Sequence, residues 1–516
     1  RHGPERTDAG GAGAEMSAMR VDVVAAPVRY RTTPFVLLIA LLLVPVAGLT
    51  ALLVWSDEQA DEHEAALANE SDASASPGPS PQDAAPALVS PMLTYRRAPE
   101  RVATAGDDNR LADAMAELAF FVDDRSCLAV SVDGRPVLAH NADVPVIPAS
   151  TNKVVLAAVA LEQLGGDYTF TTNVVAPPVV DGEIDGDVFL DGGGDPQLVS
   201  NDYPIADDRY PEFNTTSLDA LADSVVASGV TRIRGVVRGD GSRYDDQFVI
   251  PSWAPGDAFN EAGPYDALVV NDARTLGRSG RQPDPNSAAA QEFVRLLRNR
   301  GVRVDGGSGT GVADVTLPVL AGVVSRPLTD VLTEMLTTSD NDTAEMLLKD
   351  LGVADGGVGT VPAGLDVVDR TLRSWGVPMD GVRLVDGSGL SNENRLTCAA
   401  RLAVLQRVEG GPVADGLPIA GRSGTLAGEF VGTPMEGRLA AKTGTLGNPP
   451  VELDPPAVKG LAGYLTTTDG STIEFVMLLN APAIDEPDNY DDYWNALGDR
   501  LAAYPQGPDP ASVGPE

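Results

Sequence analysis

Ser150 and Lys153 stand three residues apart at the head of Val154 to Leu161, an apolar run too uniform for a surface helix. On a helix, positions i and i+3 share a face, so a hydroxyl and an amine become neighbours there. That pairing suits an acyl-transfer nucleophile and its base. The helix N-terminus adds a partial positive field and free backbone N–H groups, which favour an alkoxide or an oxyanion. A lysine accepts a proton near neutral pH only when its amine is desolvated or lies beside another cation. The chain has four lysines, Lys153, Lys349, Lys442 and Lys459, so the places they occupy carry weight.

Lys442-Thr443-Gly444-Thr445 follows Gly437 to Ala441 and reads as an edge strand. Gly444 removes a side chain where a peptide can approach and pair with the strand, while Lys442, Thr443 and Thr445 suit a carboxylate. Ser339-Asp340-Asn341 interrupts two helical stretches, Leu328 to Leu336 and Thr343 to Asp350. There Ser339 offers a hydroxyl to relay a proton, and Asn341 an amide to hold a substrate peptide bond. Each motif alone has an ordinary account as a capped helix start, a turn, or a strand with a solvated lysine.

Composition narrows the chemistry further. Across 516 residues, 74 acidic side chains face 37 basic ones, for a net charge of −37. This excludes a nucleic-acid partner, which needs clustered cations to displace counterions. Three His and two Cys leave almost no ligands for zinc or haem, so neither a metal nor a cofactor is expected. His140 is the only imidazole in the body, which nearly excludes Ser-His-Asp chemistry. No Gly-x-x-x-x-Gly-Lys or Gly-x-Gly-x-x-Gly string supports nucleotide binding. Cys127 and Cys398 either join the first strand to a late helix as one disulfide or lie buried as free thiols.

The elements that must position these motifs come from both ends of the chain. Asp133-Gly134 and Asp469-Gly470 each punctuate a pair of strand-like runs, the signal of a hairpin. With a buried helix between them, the pattern predicts an α/β layer. Residues 101–172 and 321–504 form the expected catalytic domain, and 173–320, with its own short strands and a helix near Ser287 to Arg300, the inserted one. Phe35 to Trp55 is uncharged and long enough to span a bilayer as a single N-terminal transmembrane helix. Arg20, Arg29 and Arg31 before it and four acids after it place residues 1–34 in the cytoplasm and the body outside a cell membrane. Residues 56–100 read as a disordered acidic tether and 505–516 as a disordered tail.

Ser-x-x-Lys, Ser-Asp-Asn and Lys-Thr-Gly, in that order, form the set found in class A β-lactamases and penicillin-binding proteins. Further strings are Pro148-Ala149-Ser150, Gly193-Gly194-Asp195-Pro196, Asp386-Gly387-Ser388-Gly389-Leu390-Ser391, Gly424-Thr425-Leu426 and Leu461-Ala462-Gly463-Tyr464. Together with them, the region from about Leu111 to Leu501 resembles the long-insert D-alanyl-D-alanine carboxypeptidases, the class C low-molecular-mass penicillin-binding proteins (DacB, peptidase S13). The resemblance implies a β-lactamase/transpeptidase-like α/β/α domain and a serine-type carboxypeptidase acting on peptidoglycan stem peptides, with endopeptidase action as a possible addition and β-lactams as inhibitors. It implies that Ser150 is acylated, that Lys153 is the base and Ser339 the proton relay, and that Asn341 clamps a substrate amide. Lys442, Thr443, Gly444 and Thr445 would form the recognition strand, and the backbone N–H groups of Ser150 and Thr445 the oxyanion hole. Two other readings share the motifs. One is a catalytically weak penicillin-sensing or wall-binding protein; the other is a β-lactamase, although no Glu-x-x-Leu-Asn string is present.

Overall fold

The computed structural model describes residues 99–203, 213–276, 280–447 and 454–506. The expected cytoplasmic segment, the membrane span, the tether up to residue 98 and the tail beyond residue 506 lie outside the described residues. Among the described residues, no helix is long and apolar enough to cross a membrane.

The catalytic layer is built on a five-stranded sheet drawn from both ends of the chain. Its strands are β1 (Cys127–Val132), β2 (Arg135–His140), β3 (Leu439–Leu446), β4 (Val458–Thr466) and β5 (Thr472–Asn480), in the spatial order β3-β4-β5-β1-β2. Every neighbouring pair runs antiparallel. Asp133 and Gly134 both take positive φ, 46° and 73°, the turn geometry that suits a two-residue hairpin. All six positions of β1 are buried, because both faces of the sheet are covered. Alternation sends Leu128, Val130 and Val132 towards helices α1 (Pro99–Ala119) and α6 (Pro487–Ala502), while Cys127 and Ala129 face the other way.

On that opposite face lie α2 (Asn152–Leu164), α3 (Leu328–Thr338), α4 (Asn341–Gly356) and α5 (Cys398–Val408). Residues Asn152 to Ala160 of α2 are all buried, so the helix that begins at the predicted nucleophile is enclosed by its neighbours, and Gly165 at φ 84° ends it. Removing a side chain such as Leu156 from this core would cost about 2–5 kcal/mol. Cys127 in β1 and Cys398 at the start of α5 form a disulfide with their Cα atoms 6.0 Å apart, which tethers α5 to the central strand.

The intervening segment has its own five-stranded sheet and its own core, which includes Val174, Leu190, Val237 and Phe293. The chain leaves and returns through adjacent strands, Thr171–Val175 and Val319–Val324, paired antiparallel. The boundaries expected at 173 and 320 therefore cut through a strand pair, because the ladder continues past both. At the C-terminus the chain stays docked as far as Gln506, whose backbone N–H donates to Asp107 at 3.1 Å. The segment from 505 expected to be disordered thus begins in contact with α1. Helix α1 likewise starts at Pro99, so the last two positions assigned to the tether, 99 and 100, are helical.

Candidate active site

Ser150 sits in a single 3₁₀ turn, Ala149–Thr151, that leads directly into α2. Ala149 has φ 47°, a left-handed conformation that L residues adopt at a cost. Two glycines make room for it. A Cβ on Gly389 would lie 2.0 Å from the Ala149 carbonyl oxygen, and one on Gly444 would lie 3.0 Å from the Pro148 oxygen and 3.1 Å from Thr151 Cγ2. Gly444 therefore serves the packing of the nucleophile turn against β3, whereas the sequence suggested a gap for an incoming peptide. Asn152 secures the turn from the other side, donating to the carbonyls of Asp386 and Gly387 at 3.2 and 3.1 Å.

Lys153 is fully buried, and its Nζ lies 3.0 Å from Ser150 Oγ, 2.6 Å from Asn341 Oδ1 and 2.9 Å from the Ser388 carbonyl. The two carbonyl oxygens can only accept, so they take two of the amine's hydrogens. The third direction, towards Ser150, is left for either a hydrogen or the lone pair. Burial pushes the amine down to about 8, against the opposing pull of the Asp340, Glu345, Asp386 and Asp342 carboxylates. A neutral Lys153 is thus accessible near physiological pH, with its lone pair aimed at the serine hydroxyl.

Ser339 closes α3 in the left-handed region at φ 69°, and Asp340 caps α4 by accepting from the N–H groups of Asp342 and Thr343. This abrupt reversal between two helices delivers Ser339 and Asn341 to one cleft. Ser150, Thr443 and Thr445 line the same cleft, of about 650 Å³, and its acidic rim includes Asp257, Glu261 and Glu429. Asn341 Nδ2 donates to the Glu261 carbonyl at 2.9 Å.

Lys442 is fully buried on the helix side of β3, where its Nζ donates to the Thr443 carbonyl at 3.0 Å. The structure does not bring this amine to the cleft wall. Burial pushes it well below the usual lysine value, and the nearby Lys153 and Arg401 cations add to that. Arg401, on α5, is fully buried as well, and burial pushes its guanidinium down to about 9. Thr443 and Thr445 reach the cleft instead, and Thr443 Oγ1 donates to Thr425 Oγ1 at 2.8 Å. The arrangement is a hydroxyl-lined wall backed by two buried basic side chains, Lys442 and Arg401. Among the described residues, no group of three His, Cys, Asp or Glu is placed to hold a metal ion.

Residues 111–276 and 266–499 match the model of the D-Ala-D-Ala carboxypeptidase 3 (S13) family. The chain belongs to this S13 family. It is 31% identical over 470 residues to carboxypeptidase DacB of Mycolicibacterium smegmatis, covering 88% of this chain and 94% of that one. It is 29% identical over 456 residues to a D-alanyl-D-alanine carboxypeptidase of Actinomadura sp. (strain R39), covering 72% of this chain and 79% of that one. Penicillin binding protein 4 of Haemophilus influenzae shares the mixed α/β fold, with a TM-score of 0.62 at 21% identity over 75% of this chain and 98% of that one.

Several residues that build the site in this S13 chain were not assigned roles from the sequence. Ser388 supplies only its backbone carbonyl to Lys153, a function that any residue type can perform. Glu345 is fully buried and accepts from the backbone N–H groups of Gly387 and Ser388, holding the turn that presents that carbonyl. Asp386 accepts from the N–H groups of Gly389 and Ser391 in the same turn. A signal for Glu345 was available: it is the lone acid in Ala344 to Leu348, one helical turn after Asn341 and on the same face.

Proposed function

We propose that this chain is a serine-type D-Ala-D-Ala carboxypeptidase that removes the terminal D-alanine from peptidoglycan stem pentapeptides through an acyl-enzyme on Ser150. The observation that carries this reading is the buried Lys153 amine, 3.0 Å from Ser150 Oγ and fixed by two carbonyl acceptors. The names of the Actinomadura and Mycolicibacterium relatives support it.

Ser150 Oγ attacks the carbonyl carbon between the two D-alanines and passes its proton to Lys153. The carbonyl electron pair moves onto oxygen, where the backbone N–H groups of Ser150 and Thr445 stabilise it. One such donor contributes about 3–4 kcal/mol in comparable sites. Collapse breaks the C–N bond, and the departing amine takes its proton through Ser339. Water then attacks the ester and frees the serine. Asn341 holds both the base and, through its amide, the substrate. The terminal carboxylate is recognised by the Thr443, Thr445 and Thr425 hydroxyls, in the field of the buried Lys442 and Arg401. A β-lactam presents a similar carbonyl and carboxylate in a strained ring, and its leaving group stays tethered after opening, so deacylation is slow. A cross-linked peptide offers the same bond, which admits endopeptidase action.

Release of D-alanine from a stem pentapeptide tests this reading against its alternatives. A penicillin-sensing protein would bind penicillin without releasing D-alanine, and a β-lactamase would turn penicillin over rapidly.

We also infer that the enzyme is held at a cell membrane by the Phe35 to Trp55 helix, with its catalytic body on the extracytoplasmic side. The uncharged run and its flanking charge bias support this. Protease added to spheroplasts should remove the body; protection of the body there would contradict the assignment.

A further inference from the structure

The amide of Asn341 is oriented from outside the catalytic layer. It has one accepting end and one donating end, and the base requires the accepting end. The Glu261 carbonyl can only accept, so by taking Nδ2 at 2.9 Å it leaves Oδ1 facing Lys153 at 2.6 Å. Glu261 belongs to the inserted region, two residues before Gly263. The backbone N–H of Gly263 donates to Asp342 Oδ1 at 2.5 Å. Asp342 is the residue after Asn341, so the hydrogen bonds close a circuit around the first turn of α4. Arg281 braces that circuit, pairing its Nη1 with Asp342 Oδ2 and donating to the Gly263 carbonyl at 3.4 Å. The Arg281 side chain is 9% exposed and that of Asp342 4%, so the pair is shielded from water and its geometry is stiff.

We propose that Arg281 is a positioning residue for the reaction: through Asp342 and Gly263 it holds the Glu261 carbonyl against the Asn341 amide and so aims the amide oxygen at Lys153. The inserted region thereby completes the base. This rests on the reading of Ser150 and Lys153 as an acyl-transfer pair. Without the brace, the 261–263 backbone is free to shift and the amide to rotate, which would present an N–H to the amine where it needs an acceptor.

A double-mutant cycle on the full chain tests this, with the rate of acylation by a fluorescent penicillin as readout. Misplacement of a catalytic group on this scale costs about 10- to 100-fold, so Arg281→Met should slow acylation by that factor. In an Asn341→Ala background the same substitution should cost no more than about twofold, because the group it positions is gone. Arg281→Lys, which keeps the charge, should recover part of the loss. A merely structural role would give equal losses in both backgrounds, and that result, or no loss at all, would overturn the proposal. Should Arg281→Met fail to fold, the isosteric Asp342→Asn carries the same cycle with the same two readings. Absence of acylation in the unmodified chain would sink the acyl-transfer reading itself, whereas acylation with additive losses sinks the positioning role alone.

Discussion

Glu345 accepts the backbone N–H of Ser388 at 2.8 Å, and the carbonyl of that same Ser388 accepts from Lys153 Nζ at 2.9 Å. A buried carboxylate therefore fixes an acceptor for the base through the backbone. Burial, together with the nearby Asp386 carboxylate, pushes Glu345 up to about 8. Its folded value thus lies above its unfolded one, and folding takes up a proton between about pH 4.5 and 8. The resulting stability is complete below about pH 4.5 and is lost as the pH rises through about 8, a change on the order of a few kcal/mol. Thermal unfolding of Glu345→Gln followed from pH 5 to 8.5 should show a flatter profile than the parent. Superimposable profiles would contradict this account of the turn.

Lys153 titrates in the opposite sense, since burial lowers its value to about 8 and only the neutral amine accepts the serine proton. Acylation by penicillin should therefore rise with pH and level off above about 8, falling tenfold per unit on the acid side. An acid limb near pH 4 to 5 would instead implicate a carboxylate as base. Lys153→Ala should lower the acylation rate by about 10²- to 10⁴-fold, the usual contribution of a general base.

Lys442 is buried near Lys153 and Arg401, so its effect should follow the charge of the substrate terminus. Lys442→Ala should reduce kcat/KM by about 10-fold or more for a peptide ending in a free carboxylate. A peptide ending in a C-terminal amide should lose much less. Equal losses on the two peptides would show that Lys442 serves only the fold.

The geometry of the candidate site was legible where it depended on residue type at fixed local spacing. Ser150 and Lys153 meet because three residues along a helix bring them together, and Ser339 with Asn341 because a capped break must reverse the chain. The sheet was legible too, since two Asp-Gly turns flank strand-like runs at opposite ends of the chain. Contributions made by backbone atoms were not. Neither the Ser388 carbonyl nor the Glu261 carbonyl leaves a trace in residue type, although each fixes a side chain of the candidate site. Gly444 was legible only in part: a missing Cβ tells that something approaches, and one such neighbour is the Pro148 to Thr151 turn. The burial of Lys442 was not legible, because strand alternation gives two faces without saying which one the cleft occupies.

Everything in the proposed reaction depends on Ser150 carrying the acyl group. Labelled penicillin followed by peptide mapping measures this directly. Label is expected on Ser150 alone, together with loss of labelling and of D-alanine release, by about 10⁴-fold or more, in Ser150→Ala. Label on any other residue, or undiminished D-alanine release by Ser150→Ala, would contradict it.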